Sequence, residues 1–311
     1  MTQSVPRRAV LAIALTAAFT LSACGDAGDS PAVPGGADPA ASKDLLADAP
    51  VADAALILPD STMARIKERG RLVVAQALDA PLLSQQDPTN PDEVSGFDAD
   101  LAKLLAVYIL GKPEVEIVPP ATETREALLA NGTVDVVFNT YTITPERAQQ
   151  VDFAGPYFES GLAVAVKTGN TDIKGIDDLG GKTVIVGANT PAVTAVPERH
   201  PDAEVLPFGT DPQAVTALVQ GRGDAYVQDF TLLASAAKAN RDITVVGNPF
   251  TVEPYGIGLK HGDADFKEFV NTWLKEIQDA GLWAKAWENS LGTVVEADPP
   301  TPPAIGSVPG S

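Results

Sequence analysis

Short apolar runs rich in β-branched residues alternate, twice over, with stretches of helical period, and this rhythm narrows the fold most. Leu72-Val73-Val74-Ala75, Val115-Glu116-Ile117-Val118 and Val134-Asp135-Val136-Val137-Phe138 read as buried strands. Between the first two, Leu101, Leu104, Leu105 and Tyr108 recur at i, i+3, i+4 and i+7, the stripe of an amphipathic helix. Asp98 is expected to cap that helix and Gly111 to end it. Thr122 is expected to cap the next helix, which carries Arg125. Strand–helix–strand–helix–strand order predicts a parallel α/β sheet. Leu162 to Val166 then runs on extended and should leave this lobe. A second set follows, with strands at Thr183–Val186, Ala225–Val227 and Ile243–Val246 and a helix that Asp211 is expected to cap. Trp273, Trp283 and Trp287 lie on two late helical stretches and read as packing anchors on the first lobe.

The junction Asn139-Thr140-Tyr141-Thr142-Ile143-Thr144-Pro145-Glu146-Arg147 follows the third strand. Thr144 can cap a helix, Pro145 suits its first position, and Glu146 favours the positive end of the dipole. At the ligand edge of an open sheet, free N–H groups, hydroxyls and one guanidinium would converge there. That set suits a planar carboxylate, gripped by Arg147 in bidentate fashion. The plain alternative is a surface ion pair on an ordinary helix.

The motifs Gly96-Phe97-Asp98-Ala99-Asp100-Leu101-Ala102, Leu128 to Asp135, Thr142 to Arg147 and Val151-Asp152-Phe153-Ala154-Gly155-Pro156-Tyr157 occur in the order of a known family. The chain from about Arg71 to Gly292 resembles the polar amino-acid ABC-transporter solute-binding proteins (family 3). Within it, the glutamine/glutamate-binding lipoproteins of actinobacteria are most similar. The resemblance implies a two-lobed periplasmic-binding-protein fold of type II with two strands as the hinge, Glu253 to Leu259 being the return crossover. Lobe 1 is then expected at 56–161 and 252–296, and lobe 2 at 162–251. Arg147 would hold the ligand α-carboxylate. Thr142, and less so Thr140, would support it, and Thr190 would add a second hold from the second lobe. Asp229 would pair with the ammonium group. Arg125 would reach the ligand side chain, favouring Glu or Asp, with Gln or Asn possible. For Thr190 and Asp229 the alternative is plain helix capping, and for Arg125 a surface position at a helix start. One departure stands out: the run Gln76-Ala77-Leu78-Asp79-Ala80-Pro81-Leu82-Leu83 has no aromatic residue and no arginine.

Arg7-Arg8, an apolar core from Ala9 to Thr20 and Leu21-Ser22-Ala23-Cys24 read as a lipoprotein signal, 1–23, that leaves Cys24 as the lipidated N-terminus. Cys24 is the single cysteine, so no disulfide framework competes for it. Residues 24–55 read as a flexible tether, and 297–311, with five prolines, as a disordered tail. The net charge of −19 speaks against nucleic acid or anionic lipid headgroups as partners. No metal spacing or Ser/His/Asp constellation stands out around His200 and His261. The expectation is a monomeric, extracytoplasmic, lipid-anchored receptor without enzyme activity or cofactor, passing a polar amino acid to an ABC permease. A sensor signalling to a membrane partner and a dehydratase-type enzyme of the same fold are the alternatives.

Overall fold

The computed structural model describes residues 44–294 and 298–311; the leader, Cys24 and the first part of the expected tether lie outside them. Thirteen strands are found among the described residues. The first lobe holds β1 (Leu72–Ala75), β2 (Asp79–Ala80), β3 (Ser84–Gln86), β4 (Val94–Ser95), β5 (Val115–Val118), β6 (Val136–Val137) and β7 (Val151–Ser160). The second holds β8 (Leu162–Lys167), β9 (Thr183–Gly187), β10 (Glu204–Phe208), β11 (Ala225–Asp229) and β12 (Ile243–Val246), and β13 (Glu253–Lys260) returns to the first.

Each lobe is built on a five-stranded sheet, ordered β5-β1-β6-β13-β7 and β10-β9-β11-β8-β12. Both are mixed rather than wholly parallel. β1 runs parallel to β5 and β6, and β9 parallel to β10 and β11, as strand–helix alternation requires. The antiparallel part comes from the connections between lobes. β7 leaves and β13 returns, so they pair antiparallel from Val151↔Lys260 to Ser160↔Glu253. The two passages lie side by side: Leu162 N donates to Thr251 Oγ1 at 2.8 Å, and Phe250 N to Leu162 O at 2.8 Å. Gly161 sits at the crossing because a Cβ there would collide with the Thr251 carbonyl.

The lobes differ in what fills them. The first buries Phe97, Tyr108, Phe138, Tyr157, Tyr255 and Phe266 together with Trp273, Trp283 and Trp287. Trp283 Nε1 finds the Tyr157 carbonyl at 2.8 Å, so its polar atom is satisfied inside an apolar core. The second lobe is filled mainly by Val, Ala, Leu and Ile.

Both chain ends depart from expectation. Within the expected tether, residues 44–47 are helical and Leu45 is fully buried in the first-lobe core. Leu46, Ala49 and Ala52 pack on the same core, and Ala52 N donates to Tyr108 O at 2.9 Å. At the other end, residues 305–310 lie on the first lobe instead of standing free, with Ile305 against its main core and Val308 against its smaller apolar cluster. Composition averages these few apolar residues with their Pro and Gly neighbours; contact with a large core decides the matter.

Candidate functional site

The lobes enclose a cavity of ≈ 250 Å³ lined by Arg125, Thr140, Thr142, Arg147, Thr190 and Asp229. All six residues picked from the sequence therefore meet in one place. Two loop tips face each other across it, and each carries a non-glycine residue in the left-handed region: Thr140 (φ 44°) and Asn189 (φ 53°). Such conformations need outside support. For Thr140 it comes from Asp98, whose Oδ2 accepts the Thr140 N–H at 3.1 Å.

Arg147 is 6% exposed and sits in a 3-10 turn, Arg147–Gln149, rather than a full helix. Glu146, not Thr144, is the N-cap of that turn, although Thr144 Oγ1 accepts from Arg147 N at 3.3 Å. The Arg147 guanidinium donates to Thr142 O (2.7 Å) in its own lobe and Asn189 O (2.6 Å) in the other, so it ties the lobes together. Its Nε lies 3.6 Å from Glu126 Oε1, which also accepts from the Tyr141 hydroxyl at 2.7 Å. Glu126 reaches the second lobe too, through Asn189 Nδ2 at 3.3 Å.

Arg125 is 2% exposed, which removes the surface alternative. It donates through Nε to Thr122 O (3.0 Å) and through Nη1 to Asn139 O (3.2 Å), while its buried Nη2 has no partner. Arg125 and Arg147 both lie over the Tyr141 ring, 4.5 and 4.8 Å from its centroid. Tyr141 is thus an aromatic platform behind the wall for two cations that would otherwise only repel. Burial, and then the neighbouring Arg147, push the Arg125 pKa down to about 10, still well above neutrality.

Asp229 is 5% exposed and serves two ends at once. Oδ1 caps the helix Phe230–Ala239 by accepting from Thr231 N (2.9 Å) and Thr231 Oγ1 (2.9 Å), and it also takes the Ser160 hydroxyl at 2.8 Å. Oδ2 is buried without a partner. The capping and ligand alternatives are therefore compatible, one per oxygen. Burial pushes the Asp229 carboxyl up to about 6. Thr190 does not cap with its side chain, since its Oγ1 donates back to Gly187 O at 2.8 Å. Its helix, Ala192–Arg199, begins after Pro191.

Sequence reasoning missed several residues here. Asp98 does not cap its helix, which starts at Phe97 behind Gly96. Its carboxylate instead accepts from Thr140 N and, at 2.8 Å, the Tyr157 hydroxyl. Burial pushes it up to about 6, with Asp229 adding in the same direction. Asp211 likewise lies inside its helix, behind Thr210. It accepts from the Tyr226 hydroxyl and from Gln228 Nε2 (3.0 Å). Thr122 opens a 3-10 turn, Thr122–Thr124, and its N–H crosses to Gly209 O at 3.2 Å. Glu253, from the return strand, lines the cavity and accepts from Thr251 Oγ1 at 2.9 Å. The Gln76–Leu83 run brings an acid, Asp79. The charged lining among the described residues is thus five carboxylates, at 79, 98, 211, 229 and 253, and two guanidiniums. Among the acids missed, Asp98 and Asp211 read locally as helix caps, Asp79 as a loop residue and Glu253 as the start of the return crossover, and only the fold turns them inward.

Buried Arg147 from the first lobe and buried Asp229 from the second, the latter with one unpartnered oxygen, line the same cavity. Residues 72–293 match the bacterial extracellular solute-binding proteins, family 3, and the chain belongs to that family. The glutamine-binding protein GlnH of Bacillus subtilis is 35% identical over 229 residues, 73% of this chain and 83% of that protein. The glutamate-binding protein GluB of Corynebacterium glutamicum is 31% identical over 249 residues, 75% of this chain and 83% of that protein. Among solved structures, the solute receptor for L-cysteine of Neisseria gonorrhoeae superposes with a TM-score of 0.73 at 32% identity. It is matched over its full length by 78% of this chain.

Proposed function

We propose that this protein captures a polar amino acid between its lobes and delivers it to an ABC importer, anchored outside the cytoplasmic membrane through lipidated Cys24. The observation that carries the amino-acid clamp is the pair in one cavity: buried Arg147 for the α-carboxylate and Asp229, with Oδ2 free, for the ammonium. Thr142 and Thr190 flank the carboxylate end, and Thr140 presents its backbone beside Asp98. Burying an ammonium without a carboxylate partner would cost several kcal/mol, and Asp229 supplies that partner. The names of GlnH and GluB support glutamine and glutamate as the ligand class.

The ligand side chain is where the cavity changes the expected order. Sequence alone ranks Glu and Asp first, through Arg125. Arg125 does keep one unpartnered donor, Nη2, for a distal oxygen. Yet Asp79 and Asp211 line the same cavity as Arg125, and a further carboxylate beside them is disfavoured by like charge. A distal amide suits both sets, its oxygen toward Arg125 and its NH₂ toward carboxylates. We therefore rank Gln and Asn ahead of Glu and Asp. Calorimetric titration with the twenty amino acids tests the whole reading. Tight Gln binding is expected, and no binding by any amino acid would overturn it. For the anchor, Cys24→Ser should release the protein from the membrane or leave it unprocessed; unchanged size and retention would reject lipidation.

A further inference from the structure

Residues 298–311 lie beyond the family match, which ends at 293, and they line no part of the cavity. They nevertheless bind the first lobe next to the clamp. Gly306 N donates to Gly155 O at 2.8 Å, and Ile305 packs on the main core. Val308 packs on the smaller apolar cluster that holds Tyr141, Ile143, Val151 and Phe153. Gly310 adopts φ +95°, and a Cβ placed on it would stand 2.7 Å from Ala148 Cβ and 3.5 Å from Ile143 Cγ2. The chain end therefore lies flat on those two side chains. Ser311 closes a turn beneath it, its N–H and its hydroxyl both donating to Val308 O, at 3.1 and 2.7 Å.

Ile143 and Ala148 are the residues immediately after Thr142 and Arg147. The return strand already fixes part of this segment: Ile143 N donates to Pro254 O at 2.8 Å, and Thr142 bridges Tyr255. Arg147, however, projects from a three-residue 3-10 turn, which has little stability of its own. A binding group on a soft turn loses affinity to the entropy of ordering it, and contacts that order it beforehand recover that loss. Building on the amino-acid clamp above, we propose that residues 304–311 act as a positioning strap. By packing on Ile143 and Ala148, the strap holds Thr142 and Arg147 ready for the ligand carboxylate.

The test compares the full chain with a chain ending at Pro303 and with Val308→Ala, Val308→Ile and Gly310→Val. Glutamine affinity is read by calorimetry, and hydrogen exchange is read at amides 143–150 and, as a control in the second lobe, at the helix Ala192–Arg199. Ending at Pro303 should raise Kd about tenfold and speed exchange at 143–150 but not at 192–199, as should Gly310→Val, which cannot hold φ +95° against Ala148. Val308→Ala should have a smaller effect in the same direction, and Val308→Ile should restore both readouts. Exchange at 143–150 unchanged, or Kd within twofold of the full chain, overturns the proposal. If the shortened chain does not fold, the point variants decide by the same two readouts. If the full chain binds no amino acid, the clamp reading fails first; exchange then decides whether the strap orders the segment, and unchanged exchange overturns it.

Discussion

The two walls of the cleft hold their charges in different ways. The first-lobe wall carries both guanidiniums, stacked on Tyr141 and tied to the carbonyls of Thr122, Asn139 and Thr142. Behind it stands an aromatic core with three tryptophans. The second-lobe wall contributes Asp211 and Asp229, each half-occupied by hydroxyl and amide donors, over a small aliphatic core. On the first wall Arg125 Nη2 is buried without a partner, and on the second so is Asp229 Oδ2. The clamp proposed above would satisfy both with one zwitterion, and Arg147 already joins the two walls through Asn189 O at 2.6 Å.

The largest effect should come from removing the cation that joins the walls. Arg147→Ala leaves the ligand carboxylate unpaired, at a cost on the order of 2–5 kcal/mol. Calorimetry should find amino-acid binding lost, with circular dichroism unchanged. An affinity within about threefold of wild type, a difference of about 0.7 kcal/mol, would place the clamp elsewhere.

On the acidic wall, Asp229→Asn keeps an oxygen to cap Thr231 but loses the charge that faces the ammonium. Losing a hydrogen bond to a charged group should weaken binding by about 2 kcal/mol. Thermal melting of the ligand-free variant should not fall, since a neutral amide replaces a carboxyl that burial disfavours in its charged form. Equal affinities at pH 7.5 would assign the ammonium to another acid.

Acid should reproduce that loss reversibly. Burial raises Asp98 and Asp229 to about 6 in the free protein, and an ammonium ligand favours the ionised form. Affinity should hold steady from pH 8 to 7 and fall below about 6, by up to about tenfold per pH unit per proton taken up. In the absence of ligand the sign reverses. A carboxyl raised on folding stabilises the fold at low pH and loses that contribution as pH rises through about 6. A glutamine titration series flat to pH 4.5 would mean that neither acid faces the ammonium.

The smallest effects concern the far end of the cavity. Arg125→Ala should weaken Glu more than Gln, and Asp211→Asn should weaken Gln more than Glu. Each change is about 1.5 kcal/mol, the low end for a hydrogen bond to a charged group. If both substitutions shift Gln and Glu alike, side-chain choice is made elsewhere.

Local pattern was enough to place β1, β5, β6, β8, β9, β11 and β12 and the amphipathic helix 97–110, but not β2, β3, β4 or β10, nor the 3-10 turn that stands at Arg147 in place of the expected helix. Periodicity and turn chemistry act over a few residues and leave their mark in order along the chain. Local pattern singled out the junction that holds Thr140, Thr142 and Arg147, while the family resemblance was needed to single out Arg125 and Asp229. Whether an acid caps a helix or faces a cavity was decided only in three dimensions. Asp98 and Asp211 look like ordinary helix-start residues. Asp98 points inward because Thr140, forty-two positions away, needs its carboxylate, and Asp211 because Tyr226 and Gln228 stand beside it. The antiparallel pairing of β7 with β13 and the docking of Leu45 and Ile305 also join segments far apart in sequence. Such contacts depend on what surface the rest of the fold presents, and no local window contains that surface.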